Sequence, residues 1–159
     1  MSQPLRSSLS NTRSLSAPVK STPLAALSVR TVARASQREP GGKLASALRV
    51  RPIPGVFNRR DSVSRSDRDL YRLVVSNPST AQIVFRKSGS PTVQLAVLNA
   101  RGRVLRFGGR KLSFPVLAGV RQFSLTGLMP STYFVRVSTA SSAPVNYRLR
   151  LEVSNLPTS

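Results

Sequence analysis

The run Val145-Asn146-Tyr147-Arg148-Leu149-Arg150-Leu151-Glu152-Val153 puts an apolar side chain at every second position and a polar one at each position between. Successive side chains of a β-strand point to opposite faces of its sheet, so this pattern reads as a strand with one face buried and one in water. The same two-residue period recurs upstream. Tyr133, Val135 and Val137 alternate with Phe134, Arg136 and Ser138, and Phe123 and Leu125 sit among Gln122, Ser124 and Thr126. Val93, Leu95 and Val97 lead into the turn Asn99-Ala100-Arg101-Gly102, and Val104 to Phe107 precede Gly108-Gly109. Ile83 with Phe85, and Tyr71 with Leu73 and Val75, give two more runs. Gly, Pro, Asn and Ser separate them. Short alternating runs broken by turn residues predict an all-β fold over residues 61–155, an antiparallel β-sandwich or jelly roll of about seven or eight strands.

Residues 1–60 follow a different grammar. They contain eleven basic residues (Arg6, Arg13, Lys20, Arg30, Arg34, Arg38, Lys43, Arg49, Arg51, Arg59 and Arg60) against one acid, Glu39, and a single aromatic, Phe57. The basic residues are spaced singly among Ser, Thr, Pro and Ala. Such a segment buries too little apolar surface to offset ~1–2 kcal/mol of backbone entropy per residue, so a long, extended, basic N-terminal arm is expected, disordered when free. Two stretches, 24–34 and 42–49, have the spacing for a helical turn formed on a partner, the second closed by Pro52 and Pro54. These eleven residues are the arm's candidate partner-binding groups.

Composition excludes more than it selects. The 159-residue chain has 25 Lys+Arg against 5 Asp+Glu, a formal charge of +20, and neither Cys nor His. Without them there is no disulfide framework, thiolate metal site, cysteine nucleophile or imidazole base. No catalytic residues, metal or cofactor are expected, and the chain reads as a non-enzymatic binding protein. No segment reaches the ~18–20 apolar residues of a membrane span, and the longest apolar patch near the N-terminus, Pro23 to Leu27, is too short and too far in for a signal-peptide core. The Ser- and Arg-rich start resembles an organellar transit peptide, but with no export signal legible a cytoplasmic location is expected.

The strand motifs, taken in order, carry a family resemblance. Asp67-Arg68-Asp69-Leu70-Tyr71, then Leu95 to Leu105 with the Asn99–Gly102 turn, then Pro130-Ser131-Thr132-Tyr133 to Val137, then Tyr147-Arg148-Leu149-Arg150-Leu151, together resemble the bacterial pre-peptidase C-terminal domain over about residues 61–153. The chain departs from that pattern at Asn99, where the family often has Asp, and at Ser131, where it often has Gly. The resemblance implies an accessory β-sandwich used for targeting or binding, with no catalytic centre. Asn99 argues against calcium in that turn.

Three further clusters stand out. Asp61, Asp67 and Asp69 offer oxygens for a hard cation, yet they are interleaved with Arg59, Arg60, Arg65, Arg68 and Arg72, which favours local ion pairs. Arg101, Arg103, Arg106, Arg110 and Lys111 surround the Gly108-Gly109 turn with no acid nearby and complete the expected partner-binding set. Arg148 and Arg150 fall on the outward face of the last strand, where they would extend a basic stripe to Arg136 if their strands pair.

Charge and architecture, with no residue motif, make the whole chain look like a phycobilisome linker. The expectation is a structural linker in photosynthesis that organises an assembly of acidic proteins, phycobiliprotein discs above all, on the cytoplasmic side of a photosynthetic membrane. The alternative is a nucleic-acid-associated protein, ribosome-bound or similar, although no zinc finger, RNP, KH or helix-turn-helix signature is present. An envelope-surface accessory domain is the third reading.

Overall fold

A computed structural model describes residues 40–117 and 119–157. The strands among them are β1 (Leu48–Arg49), β2 (Gly55–Val63), β3 (Asp69–Val75), β4 (Ser79–Lys87), β5 (Val93–Leu98), β6 (Arg106–Phe107), β7 (Arg110–Lys111), β8 (Ser113–Val116), β9 (Val120–Leu128), β10 (Ser131–Thr139) and β11 (Val145–Asn155).

The alternation in β11 gives the sandwich its geometry. Its odd positions, Val145 through Val153, are all buried, and Asn146, Arg148 and Arg150 between them are exposed. It pairs antiparallel with β2 on one side and β4 on the other, and β9 closes a four-stranded sheet in the order β2-β11-β4-β9. A five-stranded sheet, β1-β3-β10-β5-β8, faces it, antiparallel except for the β1–β3 pair. The core between them joins Tyr71, Leu95 and Val135 of the five-stranded sheet to Ile83, Phe85 and Leu149 of the four-stranded one. The antiparallel β-sandwich read from the sequence is the observed fold.

A smaller apolar cluster lies on the far side of the five-stranded sheet. There Leu70, Ala96, Leu98 and Phe134 are covered by Leu44, Ala47 and Val104. The 42–49 stretch makes this cover as one turn of 3-10 helix, Leu44–Ser46, followed directly by β1, instead of a helical turn made on a partner. Sandwich structure therefore begins well before residue 61. Most of β2 lies in the span expected to be arm, because its inward positions hold Arg59 and Asp61, which hid the apolar alternation. The expectations for residues 1–39, including the 24–34 stretch, lie outside the described residues.

Candidate anion-binding face

The outward face of the β2-β11-β4 sheet is built by register. Arg148 of β11 stands directly opposite Arg60 of β2 on one side and Arg86 of β4 on the other. Neighbouring strands are about 4.8 Å apart, so three guanidinium-bearing positions share one rung. All three residues are exposed. Like charges directly opposite one another destabilise a sheet, so this rung works against the fold that carries it. The rung beside it is polar and neutral. There Asn146 stands opposite Ser62, and its carbonyl accepts a hydrogen bond from the Ser88 amide. Glu152, two rungs along on the same strand, is an acid on this face and is engaged by Arg150 at 3.0 Å. A concavity of about 580 Å³ opens where Arg60, Arg86, Lys87 and Arg148 meet. Lys87 lies at its edge, largely buried, with Nζ donating to the Gly89 carbonyl at 2.6 Å.

Behind this rung lies a polar cluster within the core. The buried Arg59 guanidinium binds Asp61 at 2.7 Å, and the Ser62 amide donates to the same carboxylate at 3.0 Å. Burial opposes the Arg59 charge, but the hydrogen bond and charge of Asp61 outweigh it and hold the pKa above the ordinary arginine value. Tyr147 donates its hydroxyl proton to the buried carboxylate of Asp69, leaving its oxygen to accept from Tyr71. Burial, first of all, raises the pKa of both tyrosines, and for Tyr147 the neighbouring Tyr71 and the Asp69 charge raise it further. Asp61 and Asp69 thus have separate protein partners, and the three aspartates do not converge as a ligand set. Among the described residues no group of three acids is placed to hold a metal ion.

The expected partner-binding residues are scattered. Arg6, Arg13, Lys20, Arg30, Arg34 and Arg38 lie outside the described residues. Lys43, Arg49 and Arg51 are exposed, on and around β1. Arg59 is turned inward to Asp61, so only Arg60 of that pair reaches the surface. Arg106 and Lys111 stand opposite each other on the β6–β7 hairpin, whose Gly108 and Gly109 both take positive φ, a backbone that favours glycine in a tight turn. Arg110 lies on the same hairpin. Arg101 and Arg103 belong to the preceding turn, where the Asn99 side-chain oxygen accepts from both their amides at 3.0 Å. Asn99 therefore ties its own turn together. Arg136 does not extend the Arg148 stripe, because β10 pairs with β3 and β5 in the other sheet. Arg86 is the rung member that the sequence reading missed. Its outward position was legible, but its pairing partner was not.

No family model matches this sequence, and no curated protein matches it. The fold is similar to that of Aeromonas hydrophila PliG, a periplasmic inhibitor of g-type lysozyme, at 16% identity over 67% of this chain and 95% of that one, with a TM-score of 0.48. It is similar to the pre-peptidase C-terminal domain of a Bacillus anthracis collagenase, at 14% identity over 67% and 93%, with a TM-score of 0.43. Salmonella Typhimurium PliG, also a periplasmic inhibitor of g-type lysozyme, matches at 10% identity over 67% and 97%, with a TM-score of 0.42. A pre-peptidase C-terminal domain, the family whose strand motifs this sequence resembles, thus stands among the similar folds.

The similar folds do not bear out the phycobilisome linker expected from charge and architecture. Two of these similar structures are periplasmic lysozyme inhibitors and the third is a collagenase domain, so phycobiliprotein discs, nucleic acid and a cytoplasmic location find no counterpart in them. The physical reason is that net charge drives association with any polyanion and carries no identity of its own. Among the described residues no helix is long and apolar enough to cross a membrane.

Proposed function

We propose that this domain is a non-catalytic binding module whose β2-β11-β4 face takes a linear acidic glycan, a chain of hydroxyl-rich sugars bearing carboxylate or sulfate groups. The observation that carries this reading is the Arg60–Arg148–Arg86 rung, three directly opposed cations kept at a site where they oppose folding. Guanidinium groups bind carboxylate and sulfate oxygens bidentately. The adjoining Ser62–Asn146–Ser88 rung offers neutral donors and acceptors suited to sugar hydroxyls. The rung and its polar neighbour carry no aromatic side chain, which leaves no platform for stacking nucleic-acid bases. The exposed Arg106, Arg110 and Lys111 hairpin is a second place for the same polymer to dock.

The test is calorimetric titration with a sulfated or polyuronate oligosaccharide at several salt concentrations. Binding is expected to weaken with salt, with a log–log slope of about −2 to −3 for three released counterions. Arg148→Thr is expected to lower affinity about tenfold or more, the worth of one charge-assisted bond. The same change is expected to raise unfolding stability by about 0.2–1 kcal/mol, because it relieves the like-charge contact. Opposite signs in the two measurements separate a binding charge from a structural one. Equal affinity of Arg148→Thr and the parent would overturn the reading. So would tighter binding of a single-stranded oligonucleotide than of the glycan, or stoichiometric inhibition of a g-type lysozyme that Arg148→Thr leaves intact.

A further inference from the structure

We infer that the opposite sheet holds a second, independent site, a compact pocket for one tetrahedral oxyanion of the phosphate or sulfate class. Arg136 of β10 lies on the outward side of the five-stranded sheet, where it stands between Leu70 of β3 and Ala96 of β5. Both neighbours are buried, and the Arg136 Nε is itself buried with no hydrogen-bond partner. Leaving a buried donor unpaired costs about 1–3 kcal/mol, and more where the group is charged. An oxygen supplied from outside removes that penalty.

The surroundings specify which oxygen. Arg65 and Arg68, on the turn between β2 and β3, line the same concavity of about 530 Å³ with Arg136. None of these three guanidinium groups forms an ion pair among the described residues. Asp67, between the two turn arginines, is the nearest acid in sequence, and its backbone amide donates to the Ser64 carbonyl. The neutral polar groups of the pocket are largely committed. The Gln94 side-chain amide donates to Ser113 at 2.9 Å, and Thr139 donates its hydroxyl proton to the Thr92 carbonyl at 2.8 Å. Ser138, which stands opposite Gln94 in the ladder, adds a hydroxyl donor to the lining. Three guanidinium groups from two elements, one presenting an unsatisfied Nε–H, exceed what a planar monocarboxylate can accept. They match a dianion with acceptor oxygens pointing several ways. The site is chemically distinct from the extended Arg60–Arg148–Arg86 face and does not depend on it.

The site is tested by following arginine Nε–H resonances during titration with inorganic phosphate, sulfate and acetate, each against chloride at equal ionic strength. The Arg136 Nε–H signal is expected to shift saturably with phosphate and sulfate, and at least tenfold more weakly with acetate. A phosphomonoester probe added as a further arm distinguishes a site for the ester from one for the free ion. Arg136→Lys keeps the aliphatic stem over Leu70 and Ala96 but loses the fork and the unpaired Nε–H, and is expected to weaken phosphate binding at least tenfold with a phosphate-free melting temperature no lower than the parent's. Arg68→Gln, at an exposed position, is expected to weaken it severalfold and serves if the first variant melts early. Arg148→Thr is expected to leave phosphate binding intact, so failure of the glycan face and failure of this pocket read out separately. Shifts that match the chloride control, or an Arg136→Lys variant that binds phosphate as tightly as the parent, would overturn the inference.

Discussion

Raising the pH above about 10 is expected to unfold this protein steeply, with the loss of stability from two tyrosines approaching about 2.7 kcal/mol per pH unit once the unfolded chain has released both protons. The slope comes from Tyr71 and Tyr147, whose side chains are almost wholly buried and whose ionisation is pushed above the ordinary value of 10.0, first of all by burial. Below pH 10 both phenols are protonated in the folded and unfolded chains alike, and the full stability is present. Above it, the unfolded chain releases both protons while the folded one retains them. The unfolded state then binds fewer protons, so stability declines with each further pH unit, by about 1.4 kcal/mol for each tyrosine. Tyr133 is shifted the same way by its burial and steepens the fall. The measurement is a series of urea unfolding curves from pH 8 to 11.5, with tyrosinate absorbance followed in parallel. Tyr147→Phe is expected to lower stability at neutral pH by about 1–3 kcal/mol, since the Asp69 carboxylate loses a buried donor. It is also expected to reduce the alkaline slope by about one tyrosine's share, about 1.4 kcal/mol per pH unit. Stability that stays level to pH 11, or tyrosinate absorbance rising while the chain is still folded, would show that the hydroxyls ionise in place.

That polar cluster also marks where the sequence ceases to be legible. The alternation in β3, β4, β5, β9, β10 and β11 is carried by Val, Leu, Ile, Phe and Tyr, and it shows in the sequence because those side chains belong in a core whatever their partner. The inward positions of β2 hold Arg59 and Asp61, which belong inside only because they hold each other at 2.7 Å. A pairing of that kind is a property of the folded chain, so the strand passed for arm. β1 and β8 were missed for a different reason: with two and four residues they are too short to show a period. The candidate site was legible in part. That Arg86 and Arg148 point outward follows from alternation within their strands, whereas the outward position of Arg60 was hidden with the rest of β2. That the three share one rung follows from β11 lying between β2 and β4, a long-range pairing with no local signal. The same limit explains why Arg136 was set beside Arg148. Both are outward arginines of late strands, and topology alone sends one to each sheet.

Phe85→Ala is expected to lower the unfolding free energy by about 3–5 kcal/mol, the largest effect of any single substitution considered for this domain. Phe85 is fully buried in β4, between Leu149 of β11 and Arg121 of β9 in the ladder. Its ring stacks against Tyr147, with centroids 5.3 Å apart and planes inclined by 27°. Truncation therefore removes a large apolar side chain and one wall of the site that holds the Tyr147 hydroxyl against Asp69. Two contributions follow, a cavity term and a loosening of the buried hydrogen bonds, and they can be separated. If Phe85 serves only to fill space, its loss and that of the Tyr147 hydroxyl will add to within about 0.3–0.5 kcal/mol in a double-mutant cycle. If the ring also holds Tyr147 in place, the double variant will be less destabilised than the sum of the singles, with a coupling of about 0.5–3 kcal/mol. Coupling is expected, because a phenol that has lost its stacking partner can turn toward water that enters the cavity, and its bond to Asp69 then contributes less. Urea unfolding of the four proteins at pH 7 measures this, and strict additivity would show that the Tyr71–Tyr147–Asp69 cluster is held by its own hydrogen bonds, with no help from the core beside it.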